Sequence, residues 1–335
     1  MNIERRTFLG SGIALLAGSA AAQAPSPFAG APDARFFPPR ERFPLWPGLP
    51  PGAPKTKIVP NWTMNNAPPN RELWIRGVPF PEVHVFRAAK PDGSALLALP
   101  GGGYEFLSVQ NEGVDAAERF NAERTTVFVL TYRLPVEGWS DRSLVALQDA
   151  QRAMRLIRSR AADFRIDPNR LGVLGFSAGG HLGADLCVSH AQQVYASVDA
   201  ADRLSARPAF AGLVYPVISL DSKVSLGNSI PNLLGPKPSP EQVAARSPAE
   251  HVTGDTPPTF VVAAFDDGLV LIDNSLIWID ACRRAKVPVE AHLFAEGGHG
   301  FGFHLPRDLP GSRWPDLFAL WMRKHGACGK GSRSS

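Results

Sequence analysis

A chain of 335 residues, 44% hydrophobic and 20% charged, is long enough for one large α/β domain or two smaller ones around a substantial core. The formal charge of +4 and isoelectric point near 9.1 come without a Lys/Arg run or an interleaved aromatic patch that could track a phosphate backbone, which argues against nucleic-acid binding. Three cysteines, Cys187, Cys282 and Cys328, have no C-x-x-C spacing, so neither a disulfide framework nor a zinc site is expected, and no metal or organic cofactor is implied.

Residues 1–24 read as an export signal. Glu4-Arg5-Arg6-Thr7-Phe8-Leu9 precedes the apolar Ile13-Ala14-Leu15-Leu16-Ala17 and a small-residue end at Ala22-Gln23-Ala24. The apolar stretch is too short to span a membrane stably, so no span is expected once the signal is removed. The Arg-Arg-x-Phe-Leu arrangement resembles a bacterial twin-arginine signal, which implies a periplasmic or secreted protein; an ordinary secretory signal leads to the same compartment. From 25 to 70 the chain is crowded with proline, as in Phe37-Pro38-Pro39 and Pro50-Pro51, which bars regular helix and central strand. Its aromatics, Phe36, Phe37, Phe43, Trp46 and Trp62, suggest a segment that packs on the following domain.

The domain expected over 71–326 begins with two strand-like runs, Glu82–Phe86 and Ala95–Leu99, separated by Lys90-Pro91-Asp92-Gly93. The second run ends in Pro100-Gly101-Gly102-Gly103-Tyr104. Successive glycines can turn several N–H groups toward one point, as an oxyanion requires, and each such donor is worth on the order of 3 kcal/mol to a transition state. A flexible hairpin loop is the plainer reading of the same residues. The pattern then predicts a helix over 110–123, a strand at Thr126–Leu130 and a helix over 141–162, on which Leu144, Leu147, Ala150, Met154 and Ile157 share a face.

Leu171 to Phe176 is a short apolar run that enters Gly175-Phe176-Ser177-Ala178-Gly179 and leaves into Leu182-Gly183-Ala184, which has helical spacing. Strand, tight turn and helix put Ser177 at the apex of a nucleophile elbow. A serine hydroxyl is a weak nucleophile and must stand clear of the sheet where a base can reach it. The next strand lies over 209–215, and the stretch 218–258 reads as an irregular insertion with one helical piece near 241–246 that covers the pocket. Thr259–Phe265 is a buried strand ending in Asp266-Asp267, a helix is expected over 274–285, and the strand Val289–Phe294 runs into Gly297-Gly298-His299-Gly300-Phe301. A last helix over 314–324 and a flexible tail over 327–335 complete the chain.

Strands and helices alternate from about residue 94 onward, so the expected fold class is α/β, a doubly wound, mostly parallel sheet flanked by helices. Ser177, Asp267 and His299 each follow a predicted strand and therefore share the carboxyl edge of that sheet. His181, four residues beyond Ser177, points away from the elbow and reads as packing. His292 lies inside a strand. His304 follows the His299 loop closely enough to line a pocket and to be considered as a base. Tyr104, Glu105 and Trp139 are candidates for substrate contact or for pocket wall and core.

These residues resemble the α/β-hydrolase superfamily and, within it, the carbohydrate-esterase-like group of acetylxylan and feruloyl esterase type. The resemblance covers about 82–325 and rests on Pro100-Gly101-Gly102-Gly103-Tyr104, Leu130-Thr131-Tyr132-Arg133-Leu134-Pro135, the Gly175–His181 elbow, the Asp-Asp pair and Gly297–Phe301. Lipase-like relatives carry histidine where Pro100 stands, which leaves the backbone donors untouched. The resemblance implies Ser177 as nucleophile, His299 as general base and Asp267 as the acid that orients it, with the N–H groups of Gly102, Gly103 and Ala178 as the oxyanion hole. Asp267 is preferred over Asp266 because Asp267-Gly268-Leu269-Val270 is similar to the family's acid-x-aliphatic-Val turn. Tyr104 and His304 are the expected substrate contacts. The implied activity is hydrolysis of small acyl, especially acetyl, esters of carbohydrates. A general short-chain carboxylesterase or serine peptidase would use the same three residues, and a non-catalytic binding module on this scaffold is the remaining reading.

Overall fold

The computed structural model describes residues 37–65 and 72–326; the export signal expected over 1–24, the start of the proline-rich segment and the tail over 327–335 lie outside the described residues. The chain enters through a short strand, β1 (Arg42–Pro44), then forms β2 (Asn61–Asn65), β3 (Glu72–Arg76), β4 (Glu82–Phe86), β5 (Ala95–Leu99) and the two-residue β6 (Leu107–Ser108). A π-helical turn at Gln110–Val114 leads into α1 (Asp115–Asn121) and β7 (Thr126–Thr131). Helices α2 (Val145–Ser159) and α3 (Ala161–Phe164) precede β8 (Leu171–Phe176), α4 (Ala178–Ser189) and β9 (Ala211–Val214). Then come α5 (Ser229–Leu234), α6 (Pro240–Ala245), β10 (Thr259–Ala264), α7 (Asp273–Arg284), β11 (Val289–Phe294) and α8 (Trp314–Gly326).

One eight-stranded sheet, in the order β1-β4-β7-β5-β8-β9-β10-β11, organises the molecule. Every pairing from β7 to β11 is parallel, and β4 and β1 are added antiparallel at the other edge. The central strands β5, β8 and β10 are buried along their whole length, which explains their unbroken apolar runs: helices cover both faces of a parallel sheet, so neither face can be polar. In a parallel sheet the carboxyl ends of β5, β8, β10 and β11 open on one edge, and the loops there carry the glycine run, Ser177, Asp267 and His299.

The proline-rich segment packs on this domain. Its Phe37, Phe43 and Trp46 are buried, and its two strands occupy edges: β1 borders the large sheet, and β2 borders a separate antiparallel sheet in the order β2-β3-β6. A buried ion pair fastens the segment down. Arg133 and Asp149 are both fully buried at 2.8 Å, Trp46 Nε1 donates to Asp149 at 2.9 Å, and Arg133 donates to the Pro51 carbonyl at 2.6 Å.

Two boundaries differ from the sequence reading. The long helix begins at Val145 rather than near 141, and non-helical Arg160 separates α2 from α3. The insertion over 218–258, expected to hold one helical piece, holds α5, α6 and a 3-10 turn at Pro248–His251. In α5, Pro231 stands in the first turn, where a missing N–H costs no intrahelical bond.

Candidate active site

Ser177 links β8 to α4 with φ +52° and ψ −117°, a conformation that non-glycine residues rarely hold and that here lifts the side chain off the end of the strand. Glycines make the turn possible by their lack of a side chain: a Cβ on Gly175 would run into the Gly179 carbonyl, and one on Gly179 into the Leu99 carbonyl. The turn is held by Ser177 N–H donating to Val214 O at 3.0 Å and by the Ser177 carbonyl accepting from His181 N–H at 3.0 Å.

The structure brings three of the expected residues together. Ser177 Oγ is 2.8 Å from His299 Nε2, and His299 Nδ1 is 2.7 Å from Asp267 Oδ2. The other Asp267 oxygen accepts the N–H groups of Leu269 and Val270, each at 2.9 Å, so the carboxylate is buried and fixed by the turn that follows it. With Nδ1–H directed at the carboxylate, Nε2 is left as acceptor for the serine hydroxyl. Such an arrangement can move the Ser177 proton onto Nε2 while Oγ attacks a carbonyl carbon. Asp266 plays a different part: it is exposed, accepts the Gly298 N–H at 2.8 Å, and is held below the usual carboxylate range chiefly by that bond.

The glycine run bends toward Ser177. Gly102 has φ +122° and Gly103 φ +61°, and a Cβ on Gly101 would come within 2.9 Å of Ser177 Cβ. Ala178 is the first residue of α4, so its N–H is among those the helix leaves unused. Gly102, Gly103, Ser177 and His299 line a cavity of about 440 Å³, whose remaining wall includes Glu72, Phe106, Asn111, Glu112, Leu226 and Leu269. A larger cavity of about 740 Å³ lies within the insertion; it adjoins the first across Ser225, Leu226 and Gly227 but is lined by none of Ser177, Asp267 and His299.

Tyr104 and His304, expected at the cavity, are elsewhere. Tyr104 is only 1% exposed; its backbone at φ +61° turns the ring inward, where its hydroxyl donates to His181 Nδ1 at 2.6 Å. His304 is drawn to the Asp115 carboxylate at 2.7 Å on the side of α1, a pairing that raises its pKa, and it does not line the cavity. His181 is a packing residue. Its Nε2–H donates to the Arg246 carbonyl at 2.7 Å, and burial lowers its pKa to about 3, so it stays neutral. Trp139 is buried against the Arg133 guanidinium, 4.9 Å from its ring centre, whereas Glu105 lies at the cavity with Arg76 3.3 Å away.

The sequence reading missed Glu112, Glu72, Phe106 and Asn232. Glu112 sits in the π-helical turn, 4% exposed, and its oxygens accept the Gly101 N–H at 2.5 Å and the Tyr215 hydroxyl at 2.8 Å. Burial raises its pKa to about 7 against the pull of those two donors. Glu72 accepts from Ser108 Oγ at 2.5 Å, and Phe106 presents to the cavity a ring stacked on Trp74 at 4.0 Å. An acidic residue soon after a glycine run was the available signal for Glu112. Among the described residues no cluster of three or more His, Cys, Asp and Glu side chains could hold a metal ion, and no helix is long and apolar enough to cross a membrane.

Comparison with known proteins adds to this geometry. The family profile BD-FAE matches residues 88–280. An acetylxylan esterase of Xylanibacter ruminicola is 35% identical over 222 residues, 65% of this chain and 43% of that protein. Endo-1,4-beta-xylanase B of Butyrivibrio fibrisolvens is 33% identical over 205 residues, 61% of this chain and 32% of that protein. The chain thus spans less than half the length of these curated relatives. Among solved structures, an acetyl ester-xyloside bifunctional hydrolase from Caldicellulosiruptor lactoaceticus superposes with a TM-score of 0.69 at 32% identity, covering 86% of this chain and 97% of that one.

Proposed function

Because the chain belongs to the BD-FAE family and carries the α/β-hydrolase fold, we propose that it is a serine esterase that removes small acyl groups, chiefly acetyl, from the hydroxyls of carbohydrates. The observation that carries the reading is the continuous contact from Asp267 through His299 to Ser177 beside a glycine loop and a cavity. Ser177 Oγ attacks the ester carbonyl and passes its proton to His299 Nε2. The oxyanion is received by the N–H groups of Gly102, Gly103 and Ala178. The tetrahedral intermediate collapses, the sugar oxygen leaves with the proton from Nε2, and water repeats the sequence on the acyl-serine to release the acid.

Carbohydrate as the alcohol half is supported by the relatives' names and by a wall of carboxylate, amide and hydroxyl groups, Glu72, Ser108, Asn111 and Asn228, that can bond to sugar hydroxyls. Xyloside hydrolysis, named in one relative, needs two carboxyl groups free to flank a glycosidic oxygen. Both oxygens of Glu112 are engaged by protein donors, Glu72 accepts from Ser108 and Glu105 is paired with Arg76, so the proposal is confined to esters. A general short-chain carboxylesterase is the second reading, favoured by the exposed Leu226 and Leu269 at the cavity. Export to the periplasm through residues 1–24 belongs to the same proposal, and mature protein beginning at Met1 would overturn it.

The test is acetate release from acetylated xylan and from an aryl acetate, wild type against Ser177→Ala. Loss of the nucleophile is expected to lower turnover by on the order of a millionfold. Release from both substrates supports a carbohydrate de-acetylase, aryl acetate alone supports the general carboxylesterase, and a variant as active as wild type sinks both.

A further inference from the structure

We propose that Glu112 is a positioning residue for this site, its buried carboxylate joining the loop that receives the oxyanion to the loop that carries the base. The inference rests on the esterase reading above and extends it to a residue outside the acid–imidazole–hydroxyl set.

The contacts form a closed chain. On one side Glu112 Oε2 accepts the N–H of Gly101 at 2.5 Å, immediately before the Gly102 and Gly103 donors. On the other, Oε1 accepts the Tyr215 hydroxyl at 2.8 Å, and the same hydroxyl oxygen accepts the N–H of Gly302 at 3.0 Å, three residues beyond His299. The Tyr215 ring lies 5.0 Å from the His299 ring, centre to centre. One carboxylate therefore fixes the spacing between the oxyanion donors and the imidazole. Displacement of either loop by an ångström would spoil a geometry that acyl transfer requires to within a fraction of that distance.

The π-helical turn explains how Glu112 reaches this place. Five residues, Gln110–Val114, occupy a widened turn directly before α1, and the extra residue lets a carboxylate project beneath the glycine loop. A carboxylate without donors would be costly to bury; here both oxygens are satisfied.

Charge follows from position. Glu112 faces the Gly101 N–H and the Tyr215 hydroxyl, with Tyr132 beyond β7, Glu72 on β3 and His299 as the titratable groups around it. When His299 takes the Ser177 proton, Glu112 holds the two loops in place through its bonds to Gly101 and Tyr215. Glu112 itself exchanges no proton in the step: the Oγ–H bond breaks, the Oγ–carbon bond forms, and the carbonyl electrons move to the oxyanion.

Glu112→Gln keeps the size and one acceptor while removing the charge. Measured on an aryl acetate, it should lower kcat on the order of 10- to 100-fold with KM changed by less than about threefold. Ser177→Ala is measured beside it. Activity surviving in Ser177→Ala overturns the esterase reading and this proposal with it. An inactive Ser177→Ala beside a Glu112→Gln with wild-type kcat overturns the assignment of Glu112 alone. Should Glu112→Gln fail to fold, Tyr215→Phe cuts the link on the His299 side; a fall in kcat at steady KM supports the proposal, and wild-type kcat overturns it.

Discussion

Asn232, on the insertion helix α5, donates its side-chain N–H to the carbonyl oxygen of Gly103 at 2.8 Å, so the insertion is tied to the glycine loop and does more than roof the cavity. The helix is held in turn by Arg142, whose guanidinium donates to the carbonyls of Asn232 at 2.8 Å and Pro231 at 2.9 Å. Removing the amide frees the loop on one side without emptying a packed core. Asn232→Ala should lower kcat by about tenfold, the scale set by partial loss of oriented oxyanion donors, with the thermal midpoint little changed. Steady-state kinetics and a melting curve on the same preparation check it; unchanged kcat would show that Gly101 and Tyr104 hold the loop unaided.

Neighbouring acids in the same turn should respond very differently to the same substitution. Asp267 is buried and touches His299 Nδ1, whereas Asp266 is exposed and caps Gly298 N–H. Asp267→Asn leaves the shape intact but favours the wrong imidazole tautomer, which costs on the order of 10⁴ in kcat in sites of this geometry. Asp266→Asn retains an acceptor for Gly298 and should cost less than about tenfold. Comparable losses in the two variants would contradict the assignment of Asp267.

Why some of this was legible in the sequence and some was not has a physical basis. β5, β8 and β10 are buried on both faces, so each is a nearly continuous apolar run, and each delivers the loop that follows it to a predictable edge. The small sheet was invisible because β6 is only two residues long and β2 lies in the proline-crowded stretch, where the composition argues against a strand. Pro231 hid α5. Side-chain direction was harder still: Tyr104 adjoins the glycine donors in sequence, yet its positive φ aims the ring at His181, and a single widened turn points Glu112 inward where regular helical spacing gives no reason to expect it. His304 was judged by its nearness to His299 in sequence, but Asp115, far away in the chain, decides where it lies.

Arg133 and Asp149 are the test of how the proline-rich segment is secured. Both side chains are fully buried, and the pair also holds Trp46 and the Pro51 carbonyl. Asp149→Ala strands a guanidinium in the interior, and breaking a buried pair from one side costs about 3–5 kcal/mol. Denaturant unfolding should show that loss, and limited proteolysis should cut earlier between residues 44 and 60. A stability change below about 1 kcal/mol would mean that the remaining acceptors, Gln148 Oε1 and the Val145 and Pro51 carbonyls, suffice for Arg133.

Acid should destabilise the fold through its buried imidazoles. His84 and His181 both have pKa values lowered to about 3, by burial first and then by the nearby Arg42 in one case and Arg246 in the other, although the Arg246 carbonyl pulls His181 upward. In the unfolded chain these groups protonate near 6.5. Their folded pKa values are depressed, so the stability they contribute is present above 6.5 and is lost as the pH falls from there toward about 3, on the order of a few kcal/mol for each. Glu112 works in the opposite sense: its folded pKa is raised to about 7, so its contribution is full below the unfolded carboxyl value near 4.5 and is lost as the pH rises through about 7. Between pH 7 and 4.5 it therefore offsets part of the loss from the histidines. Urea midpoints taken across that range should fall gently for the wild type and more steeply for Glu112→Gln; parallel slopes would show that the carboxylate is not titrating in that window.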